Sequence, residues 1–407
     1  MGGTVIIGAG HAGIELADAL RTRDPHRPIT ILDAERDLPY QRPPLSKDYL
    51  ADTESQPLPL RGSDFYGQRH IDLRRGTEVT AIDRHAQTLA LADGSHLDYD
   101  DLVIATGSAN RRLTVPGADL PGVYYLRTTD DAHQLRDALA TTRRAVVIGA
   151  GFIGLEFAAM ARKHDIDVTV LEYGPRALMR ALSPTTSDHV VNTHRANGIG
   201  VEFGAQVTEI TQHGDTLAGV RTEDGRYFDA DLVVVGIGAT ARTDLATRAG
   251  VSVERGVVVD EFLRTDDPHI WAIGDCATYH CTHAAQRVRR ESVQNAVDQA
   301  RALAATLTGT PTAYQDVPWF WSHQGACKIQ IAGPGGALDQ TVVRGDMATG
   351  KFSVLCFREH WLVSVESVNQ PAVHLAARRA MAGAPITDAE LAAADYDLKA
   401  LTAATPV

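Results

Sequence analysis

The feature that most constrains this chain is a strand, glycine turn and helix at its beginning. The apolar run Val5–Ile7 leads directly into three glycines spaced as G-x-G-x-x-G, and an apolar pattern with helical spacing follows. The first glycine permits a tight turn, the second lets backbone approach a pyrophosphate, and the third lets helix pack on strand. Asp33 ends the next apolar run, about 20 residues on, where an acid is expected to bind a ribose hydroxyl. The sequence therefore predicts a dinucleotide site around Gly8, Gly10, His11, Ala12, Gly13 and Asp33.

The same element occurs a second time in the middle of the chain. Arg144–Glu156 repeats the strand, the glycines and the helix, and Val168–Glu172 repeats the strand that ends in an acid. The runs Tyr99–Gly107 and Asp229–Gly238 are a further matched pair, since each is an apolar strand pattern that ends in small residues. We therefore expect a duplicated domain and two bound dinucleotides.

Composition excludes several other classes of protein. With 407 residues, 44% of them hydrophobic and 22% charged, the chain predicts two or three globular domains. The formal charge of -12 argues against nucleic acid or an anionic membrane as partner. No apolar run approaches the roughly 18 residues of a membrane span, and no leader pattern precedes the first strand, so we expect a cytoplasmic protein.

The four cysteines all follow position 275, which predicts no disulfide framework. Cys276, His280, Cys281 and His283 form a cluster, but their spacing is not that of a zinc site, so we predict no metal.

The remaining segments complete the predicted domain plan. A proline-stiffened loop, Pro39–Lys47, carries two cations, and Gly274-Asp275 precedes a helix that opens at Glu291. The last ninety or so residues read as an antiparallel meander followed by two helices. We predict an α/β protein with a discontinuous first dinucleotide domain (1–110 and 239–316), a second (111–238) and a C-terminal α+β domain (317–407).

These motifs, together with Tyr40-x-Arg42-Pro43-Pro44-Leu45-Ser46-Lys47 and Trp319-Phe320-Trp321-Ser322, resemble those of FAD-dependent NADH:ferredoxin reductases of oxygenase systems, which are glutathione-reductase-like flavoproteins. The resemblance covers nearly the whole chain, and the proline-rich loop and the tryptophan pair are its specific parts. One departure is His323, where the family more often has an acid.

The resemblance implies two cofactor sites and three residues with catalytic roles. Lys47 and Glu156 would act beside the flavin and nicotinamide, and Trp321 would lie between the flavin and the partner's cluster. For FAD, the resemblance implies further binding residues besides those of the first glycine loop: Arg42, Lys47, Val79, Ala105, Thr106, Gly107, Arg127, Asp275, Val293 and Trp321. For NADH it implies Gly149, Gly151, Phe152, Ile153, Gly154, Glu156, Glu172, Gly236 and Gly238.

The destination of the electrons is indicated by the cysteines. Disulfide reductases of this superfamily carry a cysteine pair on the helix after the first strand, whereas this chain has no cysteine before Cys276. We therefore expect an external acceptor, for which a one-electron iron-sulfur protein is the simplest, and the family resemblance implies a [2Fe-2S] ferredoxin. We also expect a monomer or weak homodimer. An acidic ferredoxin would need a local basic patch, for which Arg301 and Lys328 are candidates. Two alternatives stay open: a reductase of a small quinone-like or radical acceptor, and a non-enzymatic redox-sensing flavoprotein.

Overall fold

The computed structural model of the chain describes residues 3–52, 54–336 and 338–403. They divide into two compact units. Unit 1 contains the chain up to Gln41, Leu58–Ala109 and Thr240–Pro318. Unit 2 contains Arg42–Pro57, Asn110–Ala239 and the chain from Trp319 onward.

Helices and strands are numbered in chain order. The helices are α1 (His11–Arg23), α2 (Asp48–Ala51), α3 (Ser63–Gln68), α4 (Thr129–Leu139), α5 (Phe152–Lys163), α6 (Pro184–Ala196), α7 (Asp244–Arg248), α8 (Val293–Leu307), α9 (Pro371–Met381), α10 (Asp388–Ala393) and α11 (Leu398–Ala403). The strands are β1 (Thr4–Ile7), β2 (Ile29–Asp33), β3 (Asp72–Arg75), β4 (Val79–Asp83), β5 (Thr88–Leu91), β6 (His96–Asp98), β7 (Asp101–Ile104), β8 (Ser108–Asn110), β9 (Val123–Tyr124), β10 (Arg144–Ile148), β11 (Asp167–Glu172), β12 (Gly200–Phe203), β13 (Val207–His213), β14 (Thr216–Thr222), β15 (Tyr227–Asp229), β16 (Leu232–Val235), β17 (Ala239–Ala241), β18 (Val257–Val258), β19 (Ile270–Ala272), β20 (Ala277–Cys281), β21 (Gln286–Val288), β22 (Trp319–Gln324), β23 (Cys327–Ala332), β24 (Gln340–Asp346), β25 (Lys351–Arg358) and β26 (Trp361–Val368).

Unit 1 is built on a five-stranded parallel sheet in the order β19-β7-β1-β2-β3. Its central strands are short apolar runs, as expected for a parallel sheet buried on both faces. Ile6, Ile31 and Leu102 are fully buried there. Helices α1 and α8 pack against each other, and β4-β5-β6 forms a separate antiparallel sheet.

Unit 2 repeats this plan with a parallel sheet in the order β12-β11-β10-β16-β9 and an antiparallel sheet β13-β14-β15. Helix α6 begins at Pro184, behind an N-cap Ser183 whose side chain accepts from the Thr186 N–H. This is the expected chemistry of a helix start. The duplication predicted from the sequence is therefore present in the topology as well as in the glycine motifs.

The C-terminal part of unit 2 is an antiparallel sheet followed by helices, which confirms the fold class but corrects two details. The strand order is β22-β23-β26-β25-β24, so the predicted meander is wrong, because β26 returns to pair with β23. Alternating apolar residues identify a strand but not its neighbour. The described residues end in three helices (α9, α10 and α11) where two were predicted. Helix α10 begins with a capping box formed by Thr387 and Glu390.

The three-domain division remains a prediction. The unit boundaries at Ala109/Asn110 and Ala239/Thr240 fall within about a residue of the predicted ends of the second dinucleotide domain. That segment and the C-terminal segment belong to one compact unit, unit 2.

Candidate dinucleotide and electron-transfer sites

The first glycine loop joins β1 to α1 in unit 1. Gly8 has a φ of +107°, and a Cβ there would lie 2.4 Å from the Ala105 carbonyl oxygen. A Cβ on Gly13 would lie 2.0 Å from the Gly8 carbonyl oxygen, so both positions exclude a side chain. A Cβ on Gly10 would meet no atom of the described residues within 4 Å. Since protein packing does not explain this glycine, the open space fits a pyrophosphate at the α1 N-terminus.

Other predicted FAD residues of unit 1 lie on neighbouring elements. Asp33 ends β2, and His11 and Ala12 open α1. Asp275 accepts a hydrogen bond from Ser108 Oγ at 2.9 Å. Its neighbour Gly274 has a φ of +77°, and a Cβ there would lie 3.1 Å from the Ala12 Cβ.

The remaining predicted residues of unit 1 are on loops and element ends. Thr106 and Gly107 follow β7, where Thr106 Oγ1 donates to the Arg242 carbonyl at 2.7 Å. Val293 is the first residue of α8, behind the N-cap Ser292. Val79, at the start of β4, is buried in the apolar core. A dinucleotide role for these residues stays a prediction.

The second glycine loop, between β10 and α5 in unit 2, reproduces the geometry of the first. Gly149 has a φ of +104°, and its Cβ would lie 2.6 Å from the Gly236 carbonyl oxygen. A Cβ on Gly154 would lie 2.3 Å from the Gly149 carbonyl oxygen, whereas one on Gly151 would have only an ordinary contact at 3.7 Å. The loop therefore also leaves space at its middle glycine, which fits a second dinucleotide.

Glu172 ends β11, as the sequence predicts for the ribose acid. Its carboxylate accepts from the Ala150 N–H at 2.8 Å and from the Gly174 N–H at 2.7 Å. Arg176, the nearest following cation in the sequence, donates its guanidinium hydrogens to the carbonyls of Leu182 and Met179. The C-terminal end of β11 thus presents a carboxylate, and the Arg176 guanidinium is bound to backbone carbonyls.

Lys47 and Glu156 come together in unit 2. Lys47 Nζ lies 2.8 Å from Glu156 Oε2, and the Glu156 side chain is only 6% exposed. Ser46 Oγ donates to the same oxygen at 2.8 Å, while Ser322 Oγ donates to Oε1 at 2.6 Å. Both serines stand within the motifs Pro44-Leu45-Ser46-Lys47 and Trp321-Ser322, but the sequence alone assigns them no role. The only sequence signal for a role was that Ser46 is adjacent to Lys47 and Ser322 is adjacent to Trp321. Their contact with Glu156 depends on packing between segments that are far apart in sequence.

The two tryptophans of β22, Trp319 and Trp321, lie on the same face of the strand but have different surroundings. Trp321 lies with Lys47 Nζ 5.4 Å from its ring centroid and packs on His323 at 5.2 Å. Trp319 packs on His374 at 5.4 Å and has the Arg378 guanidinium over its ring at 4.1 Å. Burial lowers the pKa of His374 to about 4, so it is neutral at pH 7.

Arg42 and Arg127, the other predicted FAD cations, also lie in unit 2. Arg42 Nη1 donates to the Arg127 carbonyl at 2.8 Å. Arg127 immediately precedes the capping box of Thr128 and Asp131 that starts α4. The remaining predicted NADH residues begin α5 or follow β16: Phe152, Ile153, Gly236 and Gly238.

All four cysteines are buried and unpaired. Burial raises the pKa of the Cys276 thiol, which keeps it protonated and unreactive. Within residues 3–52, 54–336 and 338–403, no group of three His, Cys, Asp or Glu side chains is arranged to hold a metal ion. In the same ranges no helix has the length and apolarity needed to cross a bilayer.

Comparison with known proteins agrees with this geometry. Residues 3–300 match the model of the pyridine nucleotide-disulphide oxidoreductase family, and residues 319–402 match the Reductase C-terminal family. Rhodocoxin reductase of Rhodococcus erythropolis is 48% identical over 97% of this chain and 93% of its own. Terpredoxin reductase of a Pseudomonas species is 41% identical over 97% of both chains.

Solved structures give the same result. The ferredoxin reductase for the CYP199A2 system of Rhodopseudomonas palustris has a TM-score of 0.93 and 43% identity, covering 98% of this chain and 99% of that one. The covalent putidaredoxin reductase–putidaredoxin complex has a TM-score of 0.93 and 38% identity, covering 98% of each chain.

The chain therefore belongs to the pyridine nucleotide-disulphide oxidoreductase family, among its FAD-dependent ferredoxin reductases. This confirms the predicted family, the fold class, the oxidoreductase activity and the use of FAD and NAD(H). The roles of individual residues remain predictions.

Proposed function

We propose that this chain oxidises NADH and passes the electrons, through FAD, to a [2Fe-2S] ferredoxin that serves a monooxygenase or dioxygenase. The observation that carries the proposal is the pair of glycine loops with open middle glycines in a chain with no cysteine before Cys276. Bound FAD would accept a hydride equivalent and release electrons singly, which suits a one-electron iron-sulfur acceptor. Relatives named as ferredoxin reductases, and a putidaredoxin reductase joined covalently to putidaredoxin, support a ferredoxin partner.

The chain's own residues would bind the two cofactors and align the flavin ring with the nicotinamide ring. Gly10 and Gly151 would give the two pyrophosphates access to helix N-termini, and Glu172 would favour NADH, because a carboxylate accepts from a 2'-hydroxyl and repels a 2'-phosphate. The buried Lys47–Glu156 pair would orient the nicotinamide, and Trp321 would line the exit of the electrons. A cytoplasmic location and a monomeric or weakly dimeric state belong to the same proposal.

The direct test is reduction of cytochrome c by NADH with and without an added [2Fe-2S] ferredoxin, after the visible spectrum has shown a bound flavin. We expect turnover to depend on the ferredoxin. Rapid turnover with a small quinone and none with any ferredoxin would favour the alternative acceptor class. A flavin that NADH does not reduce would favour the non-enzymatic alternative.

For the docking of an acidic ferredoxin, we propose that exposed cations contribute. Arg301 on α8 is 63% exposed and pairs with Glu15 at 2.7 Å, which offsets part of its charge. Lys328 on β23 is exposed and lies opposite His323 in the strand register. Lys328→Glu should therefore raise KM for ferredoxin more than Arg301→Glu at low salt, and added salt should shrink both defects. NADH–ferricyanide turnover should stay normal; an equal loss there would overturn the docking role.

A further inference from the structure

The Glu156 carboxylate is the end of a buried hydrogen-bond chain that starts on a different helix. In unit 2, His194 of α6 lies with Nε2 3.2 Å from Gln324 Oε1. Gln324 Nε2 lies 2.8 Å from Ser322 Oγ and 3.1 Å from the Phe152 carbonyl oxygen. His194, Ser322 and Gln324 are each at most 1% exposed. These hydrogen bonds therefore connect α6, β22 and α5, and the side chains that form them are shielded from water.

The direction of every hydrogen bond in this chain follows from the groups present. The Phe152 carbonyl can only accept, so the amide nitrogen of Gln324 must face it and the amide oxygen must face His194. Burial lowers the pKa of His194, so its ring is neutral and donates from Nε2 to that oxygen. Ser322 Oγ accepts from Gln324 and is left to donate its own hydrogen to Glu156 Oε1. All donors thus point toward the carboxylate.

This polarity fixes the orientation of Glu156. Oε2 accepts a hydrogen bond from Ser46 and pairs with the Lys47 ammonium group. Oε1 accepts a hydrogen bond from Ser322. Without the Ser322 hydroxyl, a buried oxygen would lose a strong charge-assisted bond and the carboxylate could turn about its last torsion angle. Turning would move Oε2 away from Lys47. A side chain held from only one side would not maintain the geometry that alignment of a nicotinamide demands.

We propose that Ser322 and Gln324 are positioning residues that orient Glu156, and through it Lys47, for hydride transfer, with His194 setting the amide of Gln324. The inference deepens the proposed function, because it assigns to β22 a part in the reductive half of the cycle. The strand carries Trp321 on one face and Ser322 and Gln324 on the other. One strand would therefore serve both electron entry and electron exit.

The first test uses variants matched for shape. Ser322→Ala should slow flavin reduction by NADH in stopped flow about tenfold, the value of one hydrogen bond to a charged group. Ser322→Thr, which keeps the hydroxyl, should retain most of the rate. Gln324→Leu and His194→Phe should give smaller losses, in that order, and His194→Gln should restore a donor near the Nε2 position. The inhibition constant of ADP-ribose, which lacks the nicotinamide ring, should stay unchanged in all of them.

The second test does not depend on turnover. Acetylation of Lys47, followed by peptide mass mapping, reports how firmly its amine is held, with the exposed Lys351 as reference in the same sample. Ser322→Ala should raise the labelling of Lys47 relative to Lys351 about fivefold, whereas Ser322→Thr should not. Unchanged labelling and reduction in Ser322→Ala would overturn the proposal. A parallel rise in the ADP-ribose inhibition constant would also overturn it, since that shows general damage to the domain. Neither readout uses ferredoxin, so a failure of the proposed acceptor would be seen separately.

Discussion

The two glycine loops use the same backbone geometry, but the glutamates that follow them have different surroundings. Glu15 and Glu156 occupy the same place in the repeat, two residues after the third glycine. Glu15 lies on α1 and pairs with Arg61 at 3.1 Å and with the exposed Arg301 at 2.7 Å. Glu156 lies on α5 among Ser46, Lys47 and Ser322 and is more deeply buried.

The difference shows that a repeated local sequence fixes the turn and the helix but not the role of a side chain on it. In unit 1 the partners of the glutamate are arginines at a partly solvated surface, where ion pairs contribute little. In unit 2 the partners come from the proline-rich loop, which follows β2 in sequence, and from β22 of the C-terminal sheet. The chemistry of Glu156 therefore depends on residues far away in sequence.

The largest effect should come from substituting the third glycine of either loop. Gly13→Ala and Gly154→Ala place a methyl group 2.0 Å and 2.3 Å from a carbonyl oxygen, so helix and strand must separate. We expect a loss of about 3 kcal/mol or more in the free energy of unfolding, with little folded protein recovered. Thermal unfolding and the yield of folded protein would measure this.

The middle glycines are the matched controls for that prediction. Gly10→Ala and Gly151→Ala meet no atom closer than 3.7 Å in the described residues, so the fold should persist. Gly10→Ala should weaken FAD retention, and Gly151→Ala should raise KM for NADH. If Gly10→Ala unfolded the protein as severely as Gly13→Ala, the space at Gly10 would not be a ligand cradle.

The second prediction compares the two glutamates directly. Glu156→Gln removes the charge that holds Lys47 and should slow flavin reduction by NADH roughly 10²-fold, because displacement of an aligning group is costly. Glu15→Gln should change that rate less than about twofold and cost at most about 1 kcal/mol, as for a surface ion pair. Stopped-flow reduction and thermal unfolding of both variants decide this. Similar rates in the two variants would remove the catalytic distinction between the repeats.

The sequence was sufficient to predict the features that depend on local pattern. The spacing of the glycines and the need for a positive φ were enough to predict the turns at Gly8 and Gly149, and the structure has both. Spacing also predicted the acids that end β2 and β11, which lie in the expected elements. That Lys47 and Glu156 would act in the same place followed only from the family resemblance, since more than a hundred residues separate them.

What could not be predicted depends on tertiary packing. Ser322, Gln324 and His194 are ordinary polar residues in sequence, and only the placement of β22 against α5 and α6 turns them into one hydrogen-bonded chain. The position of β26 inside the C-terminal sheet was missed for the same reason. Alternation reports a buried face and leaves the partner strand undetermined.

The third prediction concerns the acids that close the second strand of each repeat. We expect NADH to be preferred to NADPH, because Glu172 repels a 2'-phosphate and the Arg176 guanidinium is bound to the carbonyls of Leu182 and Met179. Glu172→Gln should reduce the preference, measured as the ratio of kcat/KM values, about tenfold. Asp33→Asn, the equivalent change in the first repeat, should affect FAD retention and leave that ratio alone. A wild-type preference for NADPH would refute the assignment.

The smallest effect is expected at a contact that only the second repeat has. Glu366 of β26 is 1% exposed and accepts from the Ser183 N–H at 2.6 Å and from Ser183 Oγ at 2.7 Å, at the N-cap of α6. Burial raises the pKa of Glu366 despite these donors. Between its second and third strands the first repeat has only the short helices α2 and α3. Helix α3 begins behind Gly62, which has no side chain to cap it.

The raised pKa makes this contact dependent on pH, and the sign can be worked out. The folded protein holds the Glu366 proton to a higher pH than the unfolded chain does. The stability contributed by the protonated carboxyl is therefore complete below its ordinary pKa and is lost as pH rises through the raised pKa.

Glu366→Gln resembles the protonated form at every pH, so its stability relative to wild type should improve by about 1 kcal/mol between pH 5 and 8.5. Calorimetric unfolding across that range measures the difference, with Glu223→Gln as the control for loss of an exposed carboxylate in the same unit. A difference that stays flat, or that favours wild type at high pH, would mean that the helix N-terminus keeps Glu366 ionised and that the contact is an ion–dipole bond instead.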